Sequence, residues 1–294
     1  MITIFGKPLM LLYGQLVLGL INGAFYALLS LGLAVIFGLM NIVNFAHGAL
    51  FMLGAFVAWA LLNWLGIDYW AALLLAPVIV GAFGMALERT LIRRLYGLDN
   101  LYGFLLTLGC ALIIEGLARN SFGSSGLRYT IPEGLRGSID LGFMMLPAYR
   151  AWVVVAAAAM CLLTWLVIEK TRIGATLRAA TENAPLVQAF GVNVPRLITL
   201  TYGAGVALAA FAGVLAAPIY SVNPNMGSNL VIIVFAVVVI GGMGSILGSI
   251  VTGFALGILE GLAKVYYPQG SATVIFVAMA IVLLVRPAGL FGKA

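Results

Sequence analysis

The sequence is poor in the side chains that most enzyme and metal sites are built from. Histidine occurs once, at position 47, and cysteine twice, at 110 and 161, in 294 residues. A single histidine excludes a bis-histidine haem site, and with only two cysteines a structural metal centre is not expected. Both cysteines fall inside apolar runs and carry no message about disulfides. Charged residues make up 8% of the chain, against roughly 25% in a soluble domain. No GxxxxGK[ST] phosphate loop occurs, so the chain cannot hydrolyse ATP alone, and Gly244-Ser245-Ile246-Leu247-Gly248 lacks the spacing of a GxSxG nucleophile turn. No cofactor is expected. The opening MITIFGK has one lysine and leads into an apolar stretch without a small-residue cleavage pattern, so a cleaved signal peptide is not expected.

Apolar sequence dominates instead. Hydrophobic residues account for 64% of the chain, and the mean hydropathy is +1.16. Apolar runs repeatedly reach the roughly 18 residues that read as a membrane helix. Candidate crossings lie at 9–40, 48–66, 69–87, 101–118, 150–168, 197–219, 226–243, 247–266 and 271–287. The first is long enough to be kinked or broken near Asn22-Gly23. The expectation is an all-α polytopic membrane protein with eight to ten transmembrane or re-entrant helices, forming one domain over 1–294.

The net charge of +6 is scattered at the ends of apolar runs and never gathers into a stripe, which argues for a topology signal rather than for nucleic acid. Segments 88–100, 169–196 and 286–294 hold nine Lys and Arg in 50 residues, and the alternate segments hold five in 56. The first set is therefore assigned to the cytoplasm, leaving the Gly-, Ser- and Pro-punctuated 119–150 segment outside.

Glycine is abundant, with 36 residues. Gly244 and Gly248 form one GxxxG pair, and Gly253, Gly257 and Gly261 form two more along one helix face. Small residues at this spacing let helix backbones approach closely in lipid, where apolar burial gives helices no reason to associate. The Gly241-Gly242-Met243-Gly244-Ser245 run breaks a helix, and it reads either as packing or as a hinge. Polar residues within the apolar sequence are few. Asn41, Asn44 and His47 would share one face if a helix persisted through them, and they read either as a polar turn at an interface or as the lining of a solute path. Glu115 with Arg119, and Glu260 with Lys264, are spaced as structural i, i+4 pairs.

The 169–196 segment, EKTRIGATLRAATENAPLVQAFGVNVPR, interrupts two spans with polar sequence. Asn183 is a plausible N-cap, Pro185 is tolerated in a first turn, and Gly191 can terminate, which predicts a short helix over 184–190. Leu186, Val187 and Phe190 would give it an apolar face. Two turns are not stable alone, so this face either packs back on the protein or enters a partner's groove.

Four signatures in order, GLINGAFYALLSLGLAVIFGLMNIVNFAHGALFMLGAF, RIGATLRAATENAPLVQAFGVNV, VVVIGGMGSILGSIVTG and RPAGLFGK, closely resemble the branched-chain amino acid ABC importer permeases of the LivH type, collinearly from about residue 10 to the end. The resemblance implies a permease subunit of the bacterial inner membrane, working with a second related permease, two cytoplasmic ATPases and a periplasmic binding protein. It also implies a coupling helix gripped by the ATPases, here the helix with its flanks at Glu182, Asn183, Pro185, Leu186, Val187, Phe190 and Gly191. Members of the wider family handle urea, amides or aromatic acids, which leaves the solute open. An ion-coupled secondary transporter and an intramembrane hydrolase using His47 are the rivals from other classes.

Overall fold

The computed structural model describes residues 3–4, 7–40 and 44–292. Among them the chain forms α1 (Leu9–Met40), α2 (Ala46–Leu65), α3 (Tyr69–Thr90), α4 (Asn100–Phe122), α5 (Ala148–Lys170), α6 (Arg172–Glu182), α7 (Ala184–Ala189), α8 (Val194–Tyr220), α9 (Ser228–Gly241), α10 (Ile246–Tyr266) and α11 (Thr273–Val285). The only sheet structure among them is two short hairpins, Thr3–Ile4 with Lys7–Pro8 and Ser138–Asp140 with Met145–Pro147, plus one isolated bridge between Leu127 and Val222. Helices dominate because hydrocarbon offers the backbone no hydrogen-bond partner. Among the described residues seven helices are long and apolar enough to cross a bilayer; α9 and α11, of 14 and 13 residues, are shorter.

α1 runs unbroken through Asn22-Gly23, so the break that its length allowed there does not occur. These two residues serve packing instead. A Cβ on Gly23 would sit 3.0 Å from the Phe254 backbone, and Asn22 Oδ1 accepts from the Tyr220 hydroxyl at 3.2 Å. The break at 241–245 does occur: Gly242 and Gly244 have φ of +99° and +83°, a region that favours glycine. Gly244 therefore lies in the turn before α10, where it approaches Gly38, and it does not share a helix with Gly248.

The bundle is organised by close backbone contacts. α1 packs antiparallel along α10: Cβ atoms on Gly253, Gly257 and Gly261 would stand 2.4, 2.3 and 2.4 Å from backbone atoms of Ala27, Gly23 and Gln15. α3 packs antiparallel along α8, with Gly81 against Ala207, Met85 against Gly203 and Glu88 against Thr199. α1 and α8 cross at Gly32 and Gly205, where a Cβ on either would lie 2.7 Å from the other's carbonyl oxygen. Gly248 meets Gly241 at the turn between α9 and α10.

These relations have an internal symmetry. α1, α2 and α3 correspond to α8, α9 and α10 with the direction of travel reversed. Two turns mark the correspondence. Asn44 Oδ1 accepts from Ala46 N at 3.1 Å, and its carbonyl accepts from His47 N at 3.2 Å. Asn223 Oδ1 accepts from Asn225 N at 3.1 Å, and its carbonyl accepts from Met226 N at 3.3 Å. Each asparagine is followed four residues on by a glycine, Gly48 and Gly227, and these two glycines are in backbone contact. The halves thus form an inverted repeat, an architecture that places irregular backbone and broken helices at the interface between repeats.

Candidate functional site

One end of the bundle carries α6, α7, residues 92–95 and the chain after α11; the opposite end carries the 123–147 loop. Thr171 begins α6 as its N-cap. Gly174 lies so close to the Ile168 carbonyl that no side chain fits there, which fixes the tight turn between α5 and α6. Arg178 pairs with Glu169 at 3.5 Å and also donates to the Ile168 carbonyl. These groups, with Glu182, Phe37, Ser245 and Phe291, border a cavity of about 690 Å³ at this end.

α7 spans Ala184–Ala189. Asn183 Oδ1 accepts from Leu186 N at 3.0 Å, Pro185 sits in the first turn, and Gly191 has φ of +86°. The apolar residues then divide. Val187 is buried against Ala180 and Val194, whereas Leu186 is 53% and Phe190 79% exposed. The three do not act as one face: Val187 anchors the helix, and Leu186 and Phe190 project from it. Two turns hold their shape here because the buried side supplies the packing that an isolated helix of this length lacks.

The segment after α7 leads into a buried ionic cluster that the sequence reading missed. Glu88, fully buried near the end of α3, accepts from Arg93 Nε and an Arg93 terminal nitrogen, both at 3.1 Å, from Tyr96 Oη at 2.7 Å and from Thr199 Oγ1 at 2.7 Å. Arg93 also donates to the Pro195 carbonyl at 3.2 Å. Burial, followed by the Glu88 carboxylate, pushes the Tyr96 hydroxyl well above its ordinary range, so it stays a neutral donor. The cluster fastens 88–96 to the first turns of α8, a few residues beyond α7. Its signal in the sequence was an acid in the last turn of a span followed by arginines, which sequence reading assigned to topology alone.

Asn44 and His47 are buried in this chain. Both are 1% exposed, and neither borders the cavities described. Asn44 Nδ2 donates to Tyr202 Oη at 2.9 Å, and His47 Nε2 lies 3.0 Å from the Leu29 carbonyl. α1 ends before Asn44, so the shared helix face does not form. Asn41 lies outside the described residues. Of the paired charges, Lys264 and Glu260 meet at 2.7 Å. Arg119, whose charge acts on Glu115, also donates to Asn225 Oδ1 at 2.8 Å, and Glu115 is hydrogen-bonded by Ser228, so α4 holds the second of the two turns. Among the described residues no group of three His, Cys, Asp or Glu is placed to hold a metal.

Membrane-penetrating helices in an inverted repeat, with a short apolar-tipped helix hung from one end, define a multi-pass membrane transport component. Residues 15–285 match the family described as the permease component of the branched-chain amino acid transport system, and the chain belongs to that family. It is similar to the high-affinity branched-chain amino acid transport system permease protein BraD of Pseudomonas aeruginosa, at 32% identity over 95% of both chains. LivH of Escherichia coli K12, named for the same transport system, is 31% identical over 74% of this chain and 72% of its own. LivH of Salmonella typhimurium is 30% identical over 76% and 74%. The chain is accordingly a multi-pass protein of the bacterial inner membrane and a permease component of an ATP-binding cassette import system. ATP hydrolysis in such a system falls to ATPase partners, and solute is delivered by a substrate-binding partner.

Proposed function

We propose that this chain forms one half of the membrane pathway of an ATP-driven importer of branched-chain or other hydrophobic amino acids, completed by a second, related permease subunit. Two cytoplasmic ATPases grip α7, and a periplasmic binding protein delivers solute at the end that carries the 123–147 loop. The excess of Lys and Arg in 88–100 and 169–196 supports this orientation.

The observation that carries the coupling role is the exposure of Phe190 and Leu186 on a helix whose Val187 is anchored. An aromatic side chain held 79% exposed on a fixed helix fits a helix-in-groove contact. Movement of α7 reaches the core through the Glu88 cluster, which ties the start of α8 to α3. α8 in turn crosses α1 at Gly205 and Gly32 and lies against α2 at Ala210 and Gly54. Asn44 and His47 act in this reading by shaping the turn into α2 and not by touching solute. The solute class rests on the names of BraD and LivH.

The test is to purify the complex with its binding protein and ask which ligands stimulate ATP hydrolysis. Leucine, isoleucine and valine are expected to stimulate it. Stimulation by urea, amides or aromatic acids alone would move the chain to another solute class, and a complex that hydrolyses no ATP would overturn the importer reading.

A further inference from the structure

A second large cavity, of about 630 Å³, opens toward the end that carries the 123–147 loop, between α1, α2, α5, α8, α9 and α10. Its volume is in the range of small-molecule sites. Leu18, Ile219 and Leu230 supply partly exposed apolar lining, with Phe25 and Phe51 buried behind it; Gln15, Asn22, Asn223 and Asn229 supply amides, and Arg150 and Lys264 supply the charges. No carboxylate borders the cavity directly. At its base Met226 precedes Gly227, whose backbone contact with Gly48 leaves no room for even a methyl group. The cavity is thus a vestibule that stops at the junction of the two halves.

The two cations differ. Lys264 is neutralised by Glu260 at 2.7 Å, and that carboxylate also accepts from Tyr26 Oη at 2.7 Å. Arg150, half-buried in the first turn of α5 and near Tyr220, is held by no ion pair or side-chain hydrogen bond among the described residues. Partly desolvating a guanidinium without a partner is unfavourable, and its planar fork matches a carboxylate in two-point fashion. The vestibule therefore carries one uncompensated positive charge beside apolar lining.

We propose that this cavity receives the carboxylate of an amino acid at Arg150, with the apolar side chain of the solute lying on Leu18, Ile219 and Leu230. The amide oxygen of Gln15 takes the ammonium group. One neutralising contact and this apolar lining give a transient holding site, suited to release inward. The inference rests on the importer reading and names where on this chain the solute is held.

The test uses the full complex with its binding protein in vesicles of neutral phosphatidylcholine, reading leucine taken up per ATP hydrolysed. Arg150→Gln should lower that ratio at least tenfold, and Arg150→Lys should recover a large part of it. Asn229→Asp places a carboxylate on the same cavity from an exposed first-turn position of α9, where an acid favours the helix. It should also lower the ratio, and it supplies the test if Arg150→Gln fails to assemble. An unchanged ratio in Arg150→Gln, or in Asn229→Asp, overturns the site. So does an Arg150→Gln defect confined to the binding-protein concentration that half-saturates ATP hydrolysis, which would make Arg150 a contact for that protein. A defect seen only when anionic lipid is added would assign Arg150 to a headgroup and overturn it too. Failure of the wild-type complex to move leucine marks failure of the importer reading itself, whereas failure of the site shows in the variants alone.

Discussion

Gly257 of α10 lies on Gly23 of α1 so closely that a Cβ added to Gly257 would stand 2.3 Å from the Gly23 Cα. The obstacle is backbone, which cannot rotate away. Gly253 and Gly261 stand in the same relation to Ala27 and Gln15, so the contact extends over two helical turns. In lipid such an approach is itself the source of helix association.

Gly257→Ala should consequently destabilise the protein although alanine favours helix. Overpacking costs about 1 to 3 kcal/mol, and the backbone obstacle places this position at the upper end. Gly116→Ala in α4, with no atom within 4 Å of the added Cβ, should be neutral or stabilising. Thermal unfolding of the two variants in the same detergent checks the pair. Equal melting temperatures would remove the glycine contact from the account.

The Glu88 cluster gives a second prediction. Arg93→Ala leaves a fully buried carboxylate with only hydroxyl donors, and breaking a buried pair from one side costs about 3 to 5 kcal/mol. The Arg93 side chain is 35% exposed, so the cost should fall toward the lower end. Glu88→Gln keeps much of the hydrogen bonding and frees Arg93 toward water, and should cost less. Denaturation midpoints in this order support the cluster; a larger loss in Glu88→Gln contradicts it.

Much of this architecture was legible in the sequence. Nine apolar segments predicted α1 to α5 and α8 to α11 within a few residues, because a bilayer demands length and apolarity and both are written in composition. Asn183, Pro185 and Gly191 located α7 because capping is a local matter. What was not legible depended on pairing across the fold. Asn22-Gly23 read as a break because its partners, Tyr220 and Phe254, are far away in sequence. Val187 was grouped with Leu186 and Phe190 because the residues that bury it, Ala180 and Val194 with Leu197 and Ile198 beside them, belong to neighbouring helices. The Asn44 turn was visible alone, but its likeness to the Asn223 turn emerged from matched hydrogen bonds.

Phe190→Asp tests the coupling helix. Its side chain is 79% exposed, so the substitution should leave the bundle folded and its expression near wild type. It should release or uncouple the ATPases by putting a charge into the groove that receives α7. Co-purification of the ATPases with tagged permease reads this directly. Full retention, with normal ligand-stimulated hydrolysis, would shift the grip to the segment between Glu88 and Asn100.

The central claim is that this chain moves an amino acid inward only when ATP is consumed by partner subunits. The direct measurement is uptake of labelled leucine into proteoliposomes holding the full complex, with binding protein outside, ATP inside, and proton and sodium gradients collapsed. The account predicts accumulation that requires both ATP and binding protein and stops when the ATPase catalytic residues are disabled. Accumulation that persists without ATP and follows an imposed ion gradient would contradict it.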